Sequence, residues 1–302
     1  MSILVDENTR LIVHGLTGRE GSFHTRTMVE YGTKVVAGVV PGKGGQEVDG
    51  IPVFNTAKDA LKETGGNTSV IFVPKQSALG AVLDALGAEI PLIVCLTEGI
   101  PVQDVLKFKD RQKGGKSILV GPNTPGVISP GKAKVGGMPD KIYSRGPVGI
   151  ISRSGTLSYE MVNLLSQQKI GQSTCVGIGG DMVPCLTFVE ALKLFEKDSE
   201  TKFIILIGEV GGIGEIEAAK YIKETAGKKV FALIGGLNAP PGKKMGHAGA
   251  IVLGKRTTAG AKIEAFKDAG AAVFANPFDL RGAVLSELEM NLANPATCPC
   301  PD

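Results

Sequence analysis

The sequence predicts an α/β protein with two doubly wound domains, and two features of the chain support this. Short apolar runs that end in glycine alternate with segments of helical length, and most of the 42 glycines among 302 residues lie at the ends of such runs. This alternation is typical of parallel strands joined by helices. It pauses once, near residues 143–147, and then restarts, which indicates a boundary between two domains.

In the first half, five apolar runs are predicted strands and the four segments between them are predicted helices. The strands are expected at residues 10–15, 34–40, 69–73, 92–96 and 117–120, and the helices at 22–31, 56–63, 77–86 and 102–113. Repeated βα units of this kind form an open parallel sheet that is covered on both faces. Residues 1–145 are therefore expected to form a Rossmann-like domain.

The second half repeats the alternation. Strands are expected at residues 148–152, 173–178, 203–208, 229–234 and 272–275, and helices at 156–168, 188–196, 213–224 and 258–269. Residues 146–302 are therefore expected to form a flavodoxin-like, doubly wound domain. Ligands of such sheets bind beyond the carboxyl ends of the strands, so we expect the chemistry in the loops that follow strands.

Composition excludes several classes of function. The net charge is only +3 and the basic residues are scattered, so no nucleic-acid partner is expected. No apolar run reaches the roughly 20 residues of a membrane span, and the N-terminus lacks a signal peptide, so we expect a soluble, cytoplasmic protein. The odd number of cysteines, 5, argues against a disulfide framework. The tail Cys298-Pro299-Cys300 has no second Cys or His pair at zinc spacing, so we expect a disordered end there and no metal site.

The loop after the first predicted strand is rich in glycine and leads into a helix expected to begin near Ser22. Residues 15–21 have the spacing G-x-x-G-x-x-G. The free N–H groups and positive dipole end of a helix start favour a phosphate group. The spacing departs from the dinucleotide fingerprint, and no acidic residue ends the second strand, so NAD binding is disfavoured. A tight turn whose glycines serve only packing is the alternative.

Two further loops are expected at the same sheet edge. Lys43 lies among glycines after the second strand, and residues 97–101 follow the fourth. Lys43 is within reach of a phosphate held by the first loop; a solvated lysine in a turn is the alternative. Three converging loops indicate a long phosphorylated ligand, such as a nucleotide or CoA. No segment matches the P-loop pattern, so another chain would have to bind a nucleoside triphosphate.

In the second half, a hydroxyl-rich turn follows the strand expected at residues 148–152. The Ser154 side chain and the N–H groups of Gly155 and Thr156 could form an anion cradle at a helix start. A plain serine cap of the helix is an equally good interpretation of these residues.

A carboxylate and an imidazole follow two later strands. Glu209 follows the strand expected at residues 203–208, and His247 lies between small residues in the loop after the next strand. An imidazole oriented by a carboxylate can act as a base, a metal ligand or a nucleophile. A metal is disfavoured because no other histidine or carboxylate cluster flanks His247. As a nucleophile facing an anion cradle it could accept a phosphoryl group; a mobile surface histidine is the alternative. His14 and His24 are expected to have packing or surface roles.

At these loops the chain resembles the succinyl-CoA synthetase (succinate–CoA ligase) α-subunit family, over about residues 1 to 290. The segments that carry the resemblance are TGREGSFHT, EYGTKVVAGVVPGKGG, GIPVFNT, LTEGIP, GPNTPGVISPG, VGIISRSGTLSYE, QSTCVGIGGD, LIGEVGG and MGHAGAI. They occur in the family's order and spacing. The resemblance implies a CoA-binding domain followed by a ligase domain.

The resemblance also implies roles for individual residues. The expected CoA-binding residues are Thr17, Gly18, Arg19, Glu20, Lys43, Leu96, Thr97 and Glu98. His247 would be phosphorylated, Glu209 would stabilise the phosphohistidine, and the helix start at Ser154, Gly155 and Thr156 would hold the phosphate. Tyr159, at the seam with a β subunit, and the turn residues Asn123 and Thr124 are the candidates for contacting the acyl substrate.

The implied reaction needs a β subunit, in an αβ or α2β2 heteromer, that carries ATP or GTP with Mg²⁺. The nucleotide phosphorylates His247, the phosphohistidine activates a small carboxylic acid, and the CoA thiol attacks the acyl phosphate. Succinate is the expected acid.

Two departures from the family pattern leave citrate, as in the citryl-CoA synthetase small subunit, and then malate as alternatives. Thr124 occupies the cysteine position of the expected motif GPNCPG. The stretch after residue 181 carries Met182, Cys185 and Leu186. A CoA sensor without catalysis and an oxidoreductase are alternatives of other classes, and the combination of His247 with Glu209 argues against both.

Overall fold

The computed structural model describes residues 2–225 and 227–293, which form two seven-stranded sheets with helices packed on them. The Cys298-Pro299-Cys300 tail lies outside the described residues. Within these ranges no helix combines the length and the apolar character needed to cross a bilayer.

The first sheet is parallel except at one edge. Its strands are β1 (Arg10–His14), β2 (Lys34–Val39), β3 (Glu47–Val48), β4 (Ile51–Phe54), β5 (Thr68–Ile71), β6 (Leu92–Cys95) and β7 (Ile118–Val120). The order is β3-β4-β2-β1-β5-β6-β7, with β3 antiparallel to β4. Its helices are α1 (Arg19–Glu30), α2 (Ala57–Thr64), α3 (Lys75–Gly87) and α4 (Val102–Gln112). Without β3, the strand order is that of a Rossmann fold.

The second sheet joins an antiparallel hairpin to a parallel core. Its strands are β8 (Gly126–Ser129), β9 (Ala133–Gly136), β10 (Arg145–Ser152), β11 (Gln172–Gly177), β12 (Phe203–Gly208), β13 (Lys229–Ile234) and β14 (Ala272–Phe274). The order is β14-β13-β12-β10-β11-β8-β9. Its helices are α5 (Gly155–Ser166), α6 (Phe188–Glu196), α7 (Gly214–Thr225), α8 (Ala259–Asp268) and α9 (Pro277–Ala293). The parallel part has the flavodoxin order, which confirms the predicted fold class.

The strands form because apolar residues run continuously along them. Every residue of β5, β6, β11 and β12 is buried, as expected for strands covered by helices on both faces. The helices bury only one side, such as Met28 and Thr25 of α1. Burial of these apolar surfaces supplies the main driving force for both cores.

Helix α1 begins at Arg19, three residues before the predicted start. Gly15 (φ +84°) turns the chain early, and a Cβ atom at Gly21 would lie only 2.1 Å from the Gly15 carbonyl oxygen. Only glycine permits this approach, so the glycine-rich loop closes tightly under the helix. Arg19 and Glu20 therefore lie in the first turn of α1.

Several elements were not predicted. Strand β3 has only two residues, and β4 contains Pro52, which removes a backbone donor. The hairpin β8–β9 is framed by Gly126, Gly131 and Gly136, all at positive φ. The apolar residues of α9 do not concentrate on one face of the helix, so it lacks the periodic pattern that marks a surface helix.

The domain boundary at residue 145 stays a prediction. The hairpin β8–β9 precedes that position and hydrogen-bonds to β11 of the second sheet through β8. The chain thus leaves the first sheet after β7 and enters the second at β8.

Candidate functional site

A cavity of about 820 Å³ lies at the carboxyl edge of the first sheet. Thr17 and Gly18 of the first loop line it. Lys43 Nζ donates a hydrogen bond to Thr17 Oγ1 at 3.0 Å, so the loops after β1 and β2 meet as predicted. The cavity is of a size that accommodates large organic ligands, and its mouth carries a cation and the N-terminus of α1.

A second cavity of about 480 Å³ adjoins the first, because Gly18 and residues 72–74 line both. Its wall also includes Arg19, Glu20, Leu96, Thr97 and Glu98. All eight residues predicted to hold CoA are therefore together: seven line these two cavities, and Lys43 contacts one of the seven.

Sequence reasoning missed one wall of this site. The larger cavity is also lined by the loop after β5, residues 72–74, and by five residues of α3, namely Gln76, Ser77, Gly80, Ala81 and Asp84. The loop could have been found, because β5 is a predicted strand whose carboxyl end shares the edge with β1. No pattern in the sequence identifies the α3 residues as part of the cavity wall.

His14 serves packing in the wall of the larger cavity. Its side chain is buried, with Nδ1 at 2.9 Å from Ser69 Oγ and Nε2 at 3.4 Å from Asp84 Oδ2. Burial acts to raise the pKa of Asp84, but hydrogen bonds from His14 and the Ala57 N–H outweigh it and lower that pKa. Asp84 thus stays ionised at the cavity wall.

The second site contains Glu209, which follows β12, and His247. His247 Nδ1 lies 2.8 Å from Glu209 Oε2. An ionised carboxylate only accepts hydrogen bonds, so Nδ1 carries the proton and Nε2 keeps a free lone pair when the ring is neutral. The hydrogen bond with Glu209 raises the pKa of His247 above 6.5, although burial acts in the opposite direction.

The imidazole ring rests on the backbone of the loop after β11. A Cβ atom at Gly180 would lie 2.5 Å from His247 Cγ. The Gly249 N–H donates to the Gly180 carbonyl at 3.0 Å, which fixes the His247 loop to this support. A side chain at position 180 would displace the ring.

The N-terminus of α5 faces the same space. Ser154 lines a cavity of about 360 Å³ together with Glu209 and His247. Ser154 is the N-cap, and its hydroxyl accepts a hydrogen bond from Leu157 N. Gly155 and Thr156 form the first turn, where N–H groups lack helical partners and the dipole is positive. The serine cap and the anion cradle are therefore compatible interpretations of one helix start.

Arg153 was given no role from sequence, yet it is a buried part of this site. Its Nε lies 3.5 Å from Glu209 Oε1, and Nη2 donates to the Asp181 carbonyl at 2.7 Å. Arg153 Nε and Glu209 Oε1 are both buried without a conventional hydrogen bond, so each supplies the opposite charge that the other requires.

Asn123 connects the two sites. Its N–H donates to the Thr97 carbonyl at 3.1 Å, and its own carbonyl accepts from Gly180 N at 3.3 Å. Its Nδ2 donates to Asp181 Oδ1 at 2.9 Å. Burial raises the pKa of Asp181, even though the Asn123 hydrogen bond opposes the shift. Asn123 thus forms hydrogen bonds both to the loop that lines the second cavity and to the loop that supports His247.

The other predicted substrate residues are less accessible. Thr124 is buried, and its hydroxyl donates to the Gly177 carbonyl and accepts from Gly126 N. Tyr159 is half-buried against the core of the second domain, and this burial raises its pKa to about 12. Neither residue lines the His247 cavity.

The altered stretch after residue 181 turns mostly inward. Cys185 and Leu186 are 4% exposed and pack in hydrophobic clusters, whereas Met182 is 54% exposed. Burial raises the pKa of the Cys185 thiol to about 12, so it is not a reactive thiolate.

Comparison with known proteins shows the family of the chain. A family profile described as CoA binding domain matches residues 6–99, and one described as CoA-ligase matches residues 151–272. The succinate–CoA ligase [ADP-forming] subunit alpha of Aquifex aeolicus is 55% identical over 292 residues, which are 96% of each chain. The chain belongs to the succinate–CoA ligase α-subunit family. A second relative, subunit alpha 1 of Archaeoglobus fulgidus, is 53% identical over 289 residues, 96% of this chain and 99% of the relative.

A solved structure has a fold similar to that of this chain. ATP citrate lyase from Methanothrix soehngenii, in complex with citrate and coenzyme A, matches 99% of this chain with a TM-score of 0.88 and 25% identity. The chain spans only 53% of that protein, about half its length.

The raised pKa of His247 predicts a specific pH dependence of stability. Its folded pKa lies above the ordinary 6.5, so its contribution is complete below that pH and is lost as pH rises through the folded pKa. We expect the loss of unfolding free energy caused by His247→Asn to be larger at about pH 5.5 than at about pH 8.5, measured by urea denaturation.

His24→Asn is the matched control, because burial lowers the pKa of His24 and reverses the sign. Its destabilisation should grow as pH rises. A His247→Asn effect that is independent of pH would contradict the ion pair with Glu209.

Proposed function

We propose that this chain, as the α subunit of a ligase and together with a β subunit, forms succinyl-CoA from succinate, CoA and a nucleoside triphosphate, through a phosphohistidine at His247 and an acyl phosphate. The observation that carries the proposal is the hydrogen bond from His247 Nδ1 to Glu209 beside the N-terminus of α5. It combines a nucleophilic nitrogen, a group that stabilises the resulting cation, and an anion-binding helix start.

In the first step, the His247 Nε2 lone pair attacks the γ-phosphorus, and the bond to the nucleoside diphosphate breaks. The phosphorylated ring is cationic and keeps its Nδ1 proton, which Glu209 accepts as a hydrogen bond at 2.8 Å. The phosphoryl oxygens are held by Ser154 and the N–H groups of Gly155 and Thr156.

In the later steps, a carboxylate oxygen of the acid attacks the phosphorus, and the nitrogen–phosphorus bond breaks. The CoA thiol then attacks the acyl carbon and releases inorganic phosphate. The two adjoining cavities hold CoA, with Lys43 and the start of α1 binding its phosphates and Leu96, Thr97 and Glu98 lining its path. Asn123, Thr124 and Tyr159 are the proposed substrate-side residues, and the link through Asn123 supports a common reaction space.

The nucleotide is proposed to be ATP with Mg²⁺, bound by a β subunit in an αβ or α2β2 assembly. The chain has no P-loop pattern, and it belongs to a family of α subunits. The relatives are named as ADP-forming, which favours ATP over GTP.

Succinate is proposed as the acid because relatives at 55% and 53% identity are named for it. Citrate is the second candidate, since a structural neighbour at 25% identity binds citrate and CoA, and malate is the third. Cys185 and Leu186 are buried in the core and cannot offer polar partners to the extra groups of citrate. A passive CoA sensor or a hydride-transfer enzyme would have no use for the His247–Glu209 pair.

We predict that the chain, with its β subunit and γ-labelled ATP, becomes labelled at an acid-labile, base-stable site. His247→Asn should abolish the label. Glu209→Gln keeps an oxygen for Nδ1–H but loses the charge, so the phosphohistidine should hydrolyse about tenfold faster, equivalent to about 1.4 kcal/mol. Filter binding and a time course of label loss measure both effects. Full labelling of His247→Asn would refute the mechanism.

We also predict that the isolated chain binds CoA but makes no thioester from ATP and any of the three acids.

Lys43→Ala should weaken CoA binding about tenfold, measured by isothermal titration calorimetry, because a charge-assisted contact is lost. Lys34→Ala is the control, because Lys34 begins β2 at the opposite sheet edge and bonds the Glu7 carbonyl. Thioester formation by the lone chain, or equal effects of the two variants, would count against this assignment.

The acid is tested with succinate, citrate and malate at saturating CoA and ATP in the presence of the native β subunit. We expect the highest kcat/KM for succinate. A tenfold preference for citrate, about 1.4 kcal/mol of transition-state binding, would replace succinate in the proposal while leaving the phosphohistidine chemistry intact.

A further inference from the structure

A fully buried lysine lies beneath the Glu209 loop. Lys262 of α8 has no exposed surface. Its Nζ donates three hydrogen bonds: to the Glu209 carbonyl at 2.6 Å, to the Gly211 carbonyl at 2.5 Å and to Glu215 Oε2 at 2.5 Å. An ammonium group has three protons, so every one of them is used to hold this loop or its partner.

Glu215 of α7 completes the arrangement and is also fully buried. Its second oxygen, Oε1, accepts a hydrogen bond from Glu209 N at 3.2 Å. Both main-chain polar groups of Glu209 are therefore held by the Lys262–Glu215 pair, while its side chain faces His247.

The same loop also contacts the His247 loop. Gly211 has a φ of +85°, and a Cβ atom there would lie 1.9 Å from the Gly249 carbonyl oxygen. The two loops thus touch backbone to backbone. A displacement of residues 209–211 would move the carboxylate and the support of the histidine together.

A buried ion pair such as Lys262–Glu215 carries a large desolvation penalty. Taking two charges out of water costs several kcal/mol per ion, and an apolar pair of similar volume is often as stable or more stable. Burial lowers the pKa of Lys262 even though Glu215 acts to raise it, which shows how strong the desolvation is. What the two charges provide and an apolar pair would not is a set of hydrogen bonds to the backbone of residues 209–211, and these bonds fix the position of Glu209.

We propose that Lys262 and Glu215 are positioning residues that fix the backbone of residues 209–211, so that the Glu209 carboxylate meets His247 Nδ1. This inference rests on the proposed phosphohistidine at His247. Neither residue contacts the ring itself; both act through Glu209.

The test uses the α chain with its β subunit and compares wild type with Lys262→Met/Glu215→Leu and with Glu215→Gln. The double variant removes both charges at once. Glu215→Gln is nearly isosteric, and there the buried lysine can lose its proton, so neither variant leaves an unpaired buried charge. Phosphohistidine half-life, kcat, the KM for CoA and the melting temperature are measured for each.

We expect about a tenfold shorter phosphohistidine half-life and about a tenfold lower kcat, because Glu209 is no longer held in place. The KM for CoA should not change, because the CoA cavities lie in the first domain. Lys134→Met is the matched control: Lys134 is also buried and ion-paired, at 3.1 Å from Asp140, but it lies in β9. It should lower the melting temperature without shortening the half-life.

A wild-type half-life and kcat in the folded variants would overturn the positioning role while leaving the proposed function intact. An equal shortening of the half-life by Lys134→Met would also overturn it, because the effect would then reflect general destabilisation. Absence of label in wild type would instead refute the phosphohistidine, and with it this inference.

Discussion

The hydrogen bond between Glu209 and His247 is the constraint on which the second site depends. It assigns the proton to Nδ1 and leaves the Nε2 lone pair free, and in the proposed mechanism it provides a negative charge for the cationic phosphorylated ring. The surroundings keep the two side chains in this relation. Gly180 leaves space for the ring, Arg153 balances the carboxylate, and the helix start at Ser154 faces them both.

The two α/β domains bring their chemistry together because both present loops at the carboxyl ends of their strands. The first domain uses these loops to form two adjoining cavities, and the second uses them to orient His247. Asn123 links them through hydrogen bonds to Thr97 on one side and to Gly180 and Asp181 on the other. The cavity wall at Thr97 is therefore joined through Asn123 to the loop that supports the imidazole.

Much of this arrangement could be predicted from sequence because the signals are local. The strands β12 and β13 have the predicted bounds, since continuous apolar runs bounded by glycine or charge define both ends. The candidate residues of the CoA-type loops were also found locally. The buried charges of Arg153 and Lys262 could not be predicted, because a lysine in a helix or an arginine in a turn shows its burial only when distant segments pack around it.

Glu209 places the imidazole proton on Nδ1 and leaves Nε2 free, and the proposed chemistry depends on this tautomer. The most direct test is ¹⁵N NMR of the three histidines at about pH 9, well above the ordinary histidine pKa, with His247 assigned from the His247→Asn variant. We expect His247 to be protonated at Nδ1 and unprotonated at Nε2, and we expect Glu209→Gln to weaken this preference. A His247 ring that carries its proton mainly on Nε2 would refute the role of Glu209 in setting the tautomer.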